Sequence, residues 1–140
     1  MAIEASEHLG QDRFEAGLAI RKKVLGAEHV QRSLDNATDF SRPMQELVTE
    51  YCWGAVWTRD GLALRDRSLI NLAMITVLNR EHELAVHVKG ALTNGVTREE
   101  IQEVFLQTAI YAGVPAAIES FRVAEEVFRA VDADGGTAED

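Results

Sequence analysis

One cysteine, two prolines and no basic cluster longer than Arg21-Lys22-Lys23 mark this 140-residue chain by what it has little of. The lone Cys52 excludes an internal disulfide framework and any Cys-x-x-Cys site, and it fits a reducing compartment. Phosphate backbones are gripped by clustered Lys and Arg. With 14 bases against 23 acids and a net charge of −9, nucleic acid is excluded as the expected partner. Long apolar runs are also missing. The longest, Leu69 to Leu78, is interrupted by Asn71 and Thr76 and is about half of what a membrane helix needs. The opening Met1-Ala-Ile-Glu-Ala-Ser-Glu-His8 carries acids where a signal peptide has bases followed by an apolar stretch. The expectation is a soluble, cytoplasmic protein with no membrane partner.

What is present is a globular composition, 46% hydrophobic and 26% charged. The length suits one domain, expected over residues 1–131 and followed by an acidic, mobile tail over 132–140. The apolar period is helical, and no sustained alternation suggests a strand. The spacing predicts a helix from Ser6 to Leu25, with Phe14, Leu18, Arg21 and Leu25 on one face and Gly26 as its stop. A short helix over Glu28 to Asp35 follows. Ser41-Arg-Pro43 reads as the next start, and Met44, Leu47, Val48, Tyr51, Ala55 and Val56 form its expected buried stripe.

Thr58-Arg-Asp-Gly61 is a turn. The next helix, Leu64 to Asn79, is apolar on nearly every side, as at the centre of a bundle or an oligomer interface. Glu81 to Thr93 is another, ended by Asn94-Gly95. Thr97-Arg-Glu-Glu100 has capping-box spacing. It opens a helix whose expected core stripe is Ile101, Val104, Phe105, Thr108 and Tyr111. The last helix runs from Pro115 to Val131, with Phe121, Ala124, Val127, Phe128 and Val131 inward. The fold class is all-α, a bundle of about six to seven helices.

The polar residues of Arg80-Glu-His-Glu-Leu-Ala-Val-His87 are the first chemical candidates. Glu83 and His87 lie one helical turn apart, so the carboxylate can orient the imidazole and raise its pKa toward proton donation near neutrality. Gly90 and Asn94 continue that face, and His82 points elsewhere. The plainer reading is an exposed helix pair worth a few tenths of a kcal/mol. The histidine spacing is poor for chelation, so no metal is expected.

A second candidate is Glu50-Tyr-Cys-Trp-Gly-Ala-Val-Trp57 with Arg59, Arg65 and Arg67 behind it. Aromatic walls and arginine clamps suit a carboxylate; a core Trp53–Trp57 pair at i, i+4 explains the same residues. Cys52 fits a small buried hydrophobe better than a nucleophile. Tyr111 can stand near an interhelix loop, but its spacing suits the core better.

Five segments in order resemble the carboxymuconolactone decarboxylase family of the alkylhydroperoxidase-D-like superfamily. They are Glu50-Tyr-x-Trp-Gly-x-Val-Trp57, Arg67-Ser-Leu-Ile-Asn-Leu-Ala-Met74, Arg80-Glu-His-Glu-Leu-x-x-His87, Ala91-Leu-x-Asn-Gly-Val-Thr-Arg-Glu-Glu-Ile101 and Gln107-Thr-Ala-x-Tyr-Ala-Gly-Val-Pro-Ala-Ala117. The resemblance spans about Phe14 to Phe128. It implies a helical bundle that assembles as a homotrimer or homohexamer. The superfamily's Cys-x-x-Cys-x-x-x-His pattern, laid with its histidine on His87, puts Arg80 and Glu83 at the cysteine positions. Dithiol peroxide chemistry is therefore absent, and a thiol-linked role through Cys52 or a non-catalytic acid-binding oligomer are the competing readings.

The activity implied is loss of CO₂ from 4-carboxymuconolactone, a small lactone with two carboxylates, in the protocatechuate branch of aromatic degradation. The electron pair passes through the ring double bond to the lactone carbonyl, so no cofactor is implied. By the same resemblance His87, oriented by Glu83, delivers the proton, while Arg80, Arg59 and Arg67 hold the retained carboxylate. Tyr111 and Trp57 are implied as further substrate contacts, with His82 beside them in the motif.

Overall fold

The computed structural model describes residues 2–135. Among these there is no strand. Seven α-helices and one π-helix form two compact units that divide between Leu64 and Arg65.

The first unit holds α1 (Ala2–Leu25), α2 (Ala27–Asp35), α3 (Arg42–Leu47) and a π-helix (Val48–Trp57) that continues α3 without a break. Gly26, at φ 93°, separates α1 from α2 in a conformation that side chains resist. Ser41 sits at the N-cap of α3 with Pro43 in its first turn, as the spacing predicts. The expected buried stripe forms only in part, with Val48 and Ala55 half-buried and Val48 packed against the tryptophans. Met44, Leu47, Tyr51 and Val56 are exposed, and Thr49, Trp53, Gly54 and Trp57 are buried instead. The cause is the wider turn of the π-helix, whose i→i+5 bonding is seen where Thr58 N donates to Trp53 O at 3.2 Å. Inward positions then recur along 49, 53 and 57.

That phase brings glycine to the contact with α1. A Cβ on Gly17 would lie 2.1 Å from the Thr49 carbonyl oxygen, and one on Gly54 2.2 Å from that of Arg13. The two backbones therefore touch directly. Trp53 and Trp57 pack with Val24, their ring centroids 4.7 Å apart.

The second unit contains α4 (Leu64–Val77, from Arg65 onward), α5 (Glu81–Thr93), α6 (Arg98–Ala112) and α7 (Val114–Gly135). Its turns fall at Asn79, Gly95 and Gly113, all at positive φ. Leu72, Leu84, Val88, Ala91, Val96, Ile101, Phe105, Val123 and Ala124 form the core. Phe105 meets Phe121 edge-on at 5.6 Å. Burying a side chain of this kind contributes about 1.5–3 kcal/mol.

Thr97 caps α6 by accepting from Glu100 N at 3.1 Å. The return half of the capping box is replaced, because the Glu100 carboxylate pairs with Arg65. Helix α4 is not enclosed on all sides. It buries Ser68, Leu72 and Thr76 and exposes Ile70, Met74 and Val77. Between that open face and α6 runs an apolar groove of about 770 Å³. Helix α7 continues past the expected start of the tail to Gly135, and Asp132 pairs with Arg98; the rest of the expected tail, 136–140, lies outside the described residues.

Candidate functional site

Helix α5 presents His87, Gly90 and Asn94 along one face, and α4 answers with Ser68 and Asn71. Asn94 Nδ2 donates to Ser68 Oγ at 2.9 Å. Asn71 Nδ2 lies 3.4 Å from His87 Nδ1. Gly90 and Ser68 are buried and His87 is half-buried. An otherwise apolar interface thus carries two polar pairs, and a buried polar group is costly unless it finds such a partner.

The protonation of His87 departs from expectation. Burial pushes its pKa below the usual histidine value, and the opposing pull of Glu83 is the smaller effect. Removing a cation from water costs more here than an exposed carboxylate one turn away returns. The imidazole is therefore mostly neutral at pH 7, and not primed as a proton donor.

The remaining candidates disperse. Arg80 is exposed at the N-cap of α5 and borders a small concavity with Thr76, Glu81, Glu119 and Ser120. His82 is exposed. Arg67 is half-buried on α4. Tyr111 is 86% exposed, against the expected core position, because α6 turns that edge toward the apolar groove; His87 is not among the groove's lining residues. Trp57 and Arg59 belong to the first unit, Trp57 buried against Trp53 and Arg59 exposed. Of the expected catalytic and binding set, Glu83 acts on His87 from one turn away on α5, while Arg80, His82 and Tyr111 are exposed in the same unit.

Two residues matter more than their sequence context suggested. Asn71 interrupts an apolar run three positions after Ser68, and that shared helical face was the available signal. Arg21 falls on the apolar face of α1. It is only 7% exposed and donates from Nη1 to Thr49 Oγ1 at 3.0 Å. Cys52 is exposed and not the buried hydrophobe its type suggested; partial desolvation still pushes its thiol up, and the nearby Arg21 only partly offsets it. A protonated thiol is a poor nucleophile, which removes support from a redox role. Among the described residues no group of three or more His, Cys, Asp or Glu could hold a metal ion, and no helix is long and apolar enough to cross a membrane.

Residues 42–126 match the family described as carboxymuconolactone decarboxylase. The chain is 42% identical over 119 residues to a 4-carboxymuconolactone decarboxylase of Acinetobacter baylyi, covering 85% of this chain and 89% of that one. It is 45% identical over 121 residues to a nitrosuccinic acid decarboxylase of Metarhizium robertsii, covering 86% and 85%. A 4-carboxymuconolactone decarboxylase of Pseudomonas putida is 39% identical over 44 residues, 31% of this chain and 92% of that one. With the family match spanning more than half the chain and the Acinetobacter and Metarhizium relatives most of it, this helical protein belongs to the carboxymuconolactone decarboxylase family.

Proposed function

We propose that this chain is a carboxy-lyase that removes CO₂ from 4-carboxymuconolactone, forming the β-ketoadipate enol-lactone without a cofactor. The observation that carries the reading is 42% identity to a decarboxylase of that name over 85% of the chain. Nitrosuccinate is the second reading, favoured by 45% identity to a decarboxylase of that acid.

The two substrates share a chemical core. In both, the leaving carboxylate and a CH₂-carboxylate sit on one carbon, which makes a substituted succinate. In both, the electron pair left by CO₂ drains to an oxygen, through the ring double bond to the lactone carbonyl or directly into the nitro group. The delocalised anion then takes one proton from solvent on carbon. The protein's tasks are to hold the retained carboxylate, meet the developing oxyanion and keep the leaving carboxylate poorly solvated.

In this reading His87, with Glu83 on the same helix, faces the developing charge, and Arg80 at the start of that helix binds the retained carboxylate. Tyr111 and the α4–α6 groove serve self-association. Ile70, Met74, Val77 and Leu78 there are exposed, and apolar faces of this kind are normally covered in an assembly, here a homotrimer or homohexamer. The setting is cytoplasmic breakdown of aromatic acids.

The deciding experiment gives the purified protein each substrate separately, with and without a chelator, and follows CO₂ and product by absorbance and NMR. Turnover of the lactone undiminished by the chelator is expected. Turnover of nitrosuccinate alone selects the second reading, and turnover of neither overturns both.

A further inference from the structure

We propose that Asn71 holds His87 in the tautomer whose proton is on Nε2, so that the ring meets the substrate as a neutral hydrogen-bond donor and not as an imidazolium acid. The proposal rests on the decarboxylase reading for its chemistry and on α4 and α5 for its geometry.

Nδ2 of an asparagine only donates. It faces His87 Nδ1 at 3.4 Å, and two N–H groups cannot face one another across a hydrogen bond. With the amide turned this way Nδ1 is the acceptor and the single proton of the neutral ring belongs to Nε2; the reversed amide, Oδ1 toward the ring, would require the opposite tautomer. The arrangement is anchored on both sides. Asn71 is flanked on α4 by buried Ser68 and Leu72, and Ser68 is tied to Asn94 at the far end of α5. Glu83 of the same helix pulls the His87 titration up, and from α4 the uncharged Asn71 faces Nδ1. Burial outweighs Glu83, in agreement with a neutral ring.

A neutral donor suits the reaction. As the C–CO₂ bond breaks, its electron pair moves to the acceptor oxygen, which takes a hydrogen bond from Nε2–H while the proton stays on nitrogen. An imidazolium would pair instead with the leaving carboxylate and stabilise the ground state, which slows the step. Asn71 is then a positioning residue, and His87 is the group it positions.

The test uses protein with ¹⁵N-labelled histidine and no substrate, with His87 assigned by the signal lost in His87→Gln. Long-range ¹H–¹⁵N spectra at pH 8 should show His87 protonated at Nε2 and bare at Nδ1. Asn71→Asp, which can only accept when ionised, should move the proton to Nδ1 and raise the His87 titration. With the lactone, Asn71→Asp and Asn71→Leu should lower kcat at least about tenfold, a fraction of the 10²–10³ carried by a typical oxyanion donor, with KM nearly unchanged. A wild-type ring protonated at Nδ1 overturns the proposal by itself, even if neither variant folds. So does an Asn71→Asp protein whose tautomer is unchanged. Wild-type protein that turns over no substrate overturns the decarboxylase reading and the catalytic half of the proposal, and leaves the tautomer result to judge the positioning.

Discussion

In the first unit α1 meets the π-helix backbone to backbone, with Gly17 and Gly54 against carbonyl oxygens, and the polar atoms caught there belong to the fold. Arg21 donates to Thr49, and Thr49 in turn donates to Gln45 O at 2.7 Å. In the second unit α4 meets α5 through side chains, Ser68 with Asn94 and Asn71 with His87. Both seams bury polar groups, and both satisfy part of their hydrogen-bonding needs internally. The difference is the kind of group confined. A guanidinium keeps its proton at any ordinary pH, so the first seam can only be made or broken. An imidazole can change state, so the second seam can set a protonation as well as a position.

The comparison breaks most visibly at glycine. Gly17→Ala would drive a Cβ to within 2.1 Å of the Thr49 oxygen, with backbone on both sides and no flexible end to yield. The expected loss is about 3 kcal/mol, at the upper end of overpacking costs, read by urea denaturation. Unchanged stability would mean that the two helices are not in contact. The second seam should respond in activity instead. His87→Gln is expected to lower kcat on the lactone about 10²–10³-fold while the thermal midpoint moves little. A loss of folding equal to that of Gly17→Ala would assign His87 to the scaffold.

Thr49→Val keeps the volume and removes the acceptor of Arg21, at an expected cost of about 1–3 kcal/mol. Adding Arg21→Met should recover most of that cost, because an apolar replacement removes the buried charge. A double variant no better than the single one would show that Arg21 contributes through packing.

The smallest expected effect is on pH dependence. His87 has a folded pKa below its unfolded value of about 6.5. Between those two values the unfolded chain binds more protons, so stability rises with pH. The contribution of His87 is complete above about pH 6.5, is lost as pH falls through the folded pKa, and changes no further below it. Urea midpoints from pH 5 to 8 should show this slope in the wild type and lack it in His87→Gln. An identical slope in both would place the titration elsewhere.

Much of this architecture was legible residue by residue. Gly26, Thr58 to Gly61, Asn94-Gly95 and Gly113 fall where helices end, because backbone at positive φ or without side-chain cost is needed there and few residues supply it. Thr97 announced its helix by a cap that needs only local geometry. The π-helix was not legible. Its apolar residues fit an α-helical stripe, and the wider turn that buries Trp53 and Trp57 in place of Tyr51 and Val56 follows from glycine contacts with α1, a partner remote in sequence. Tyr111 was misjudged for a related reason: periodicity locates a face and does not say whether anything covers it.

The order of residues alone specified seven helical stretches, most of the ends between them, the missing dithiol and the one-turn spacing of Glu83 and His87, since all of these depend on neighbours within a few positions. Which polar residue touches the imidazole, and which charge state it keeps, was decided only when α4 packed on α5. Proton affinity follows local water and contacts, and those are set by parts of the chain that meet only in the fold.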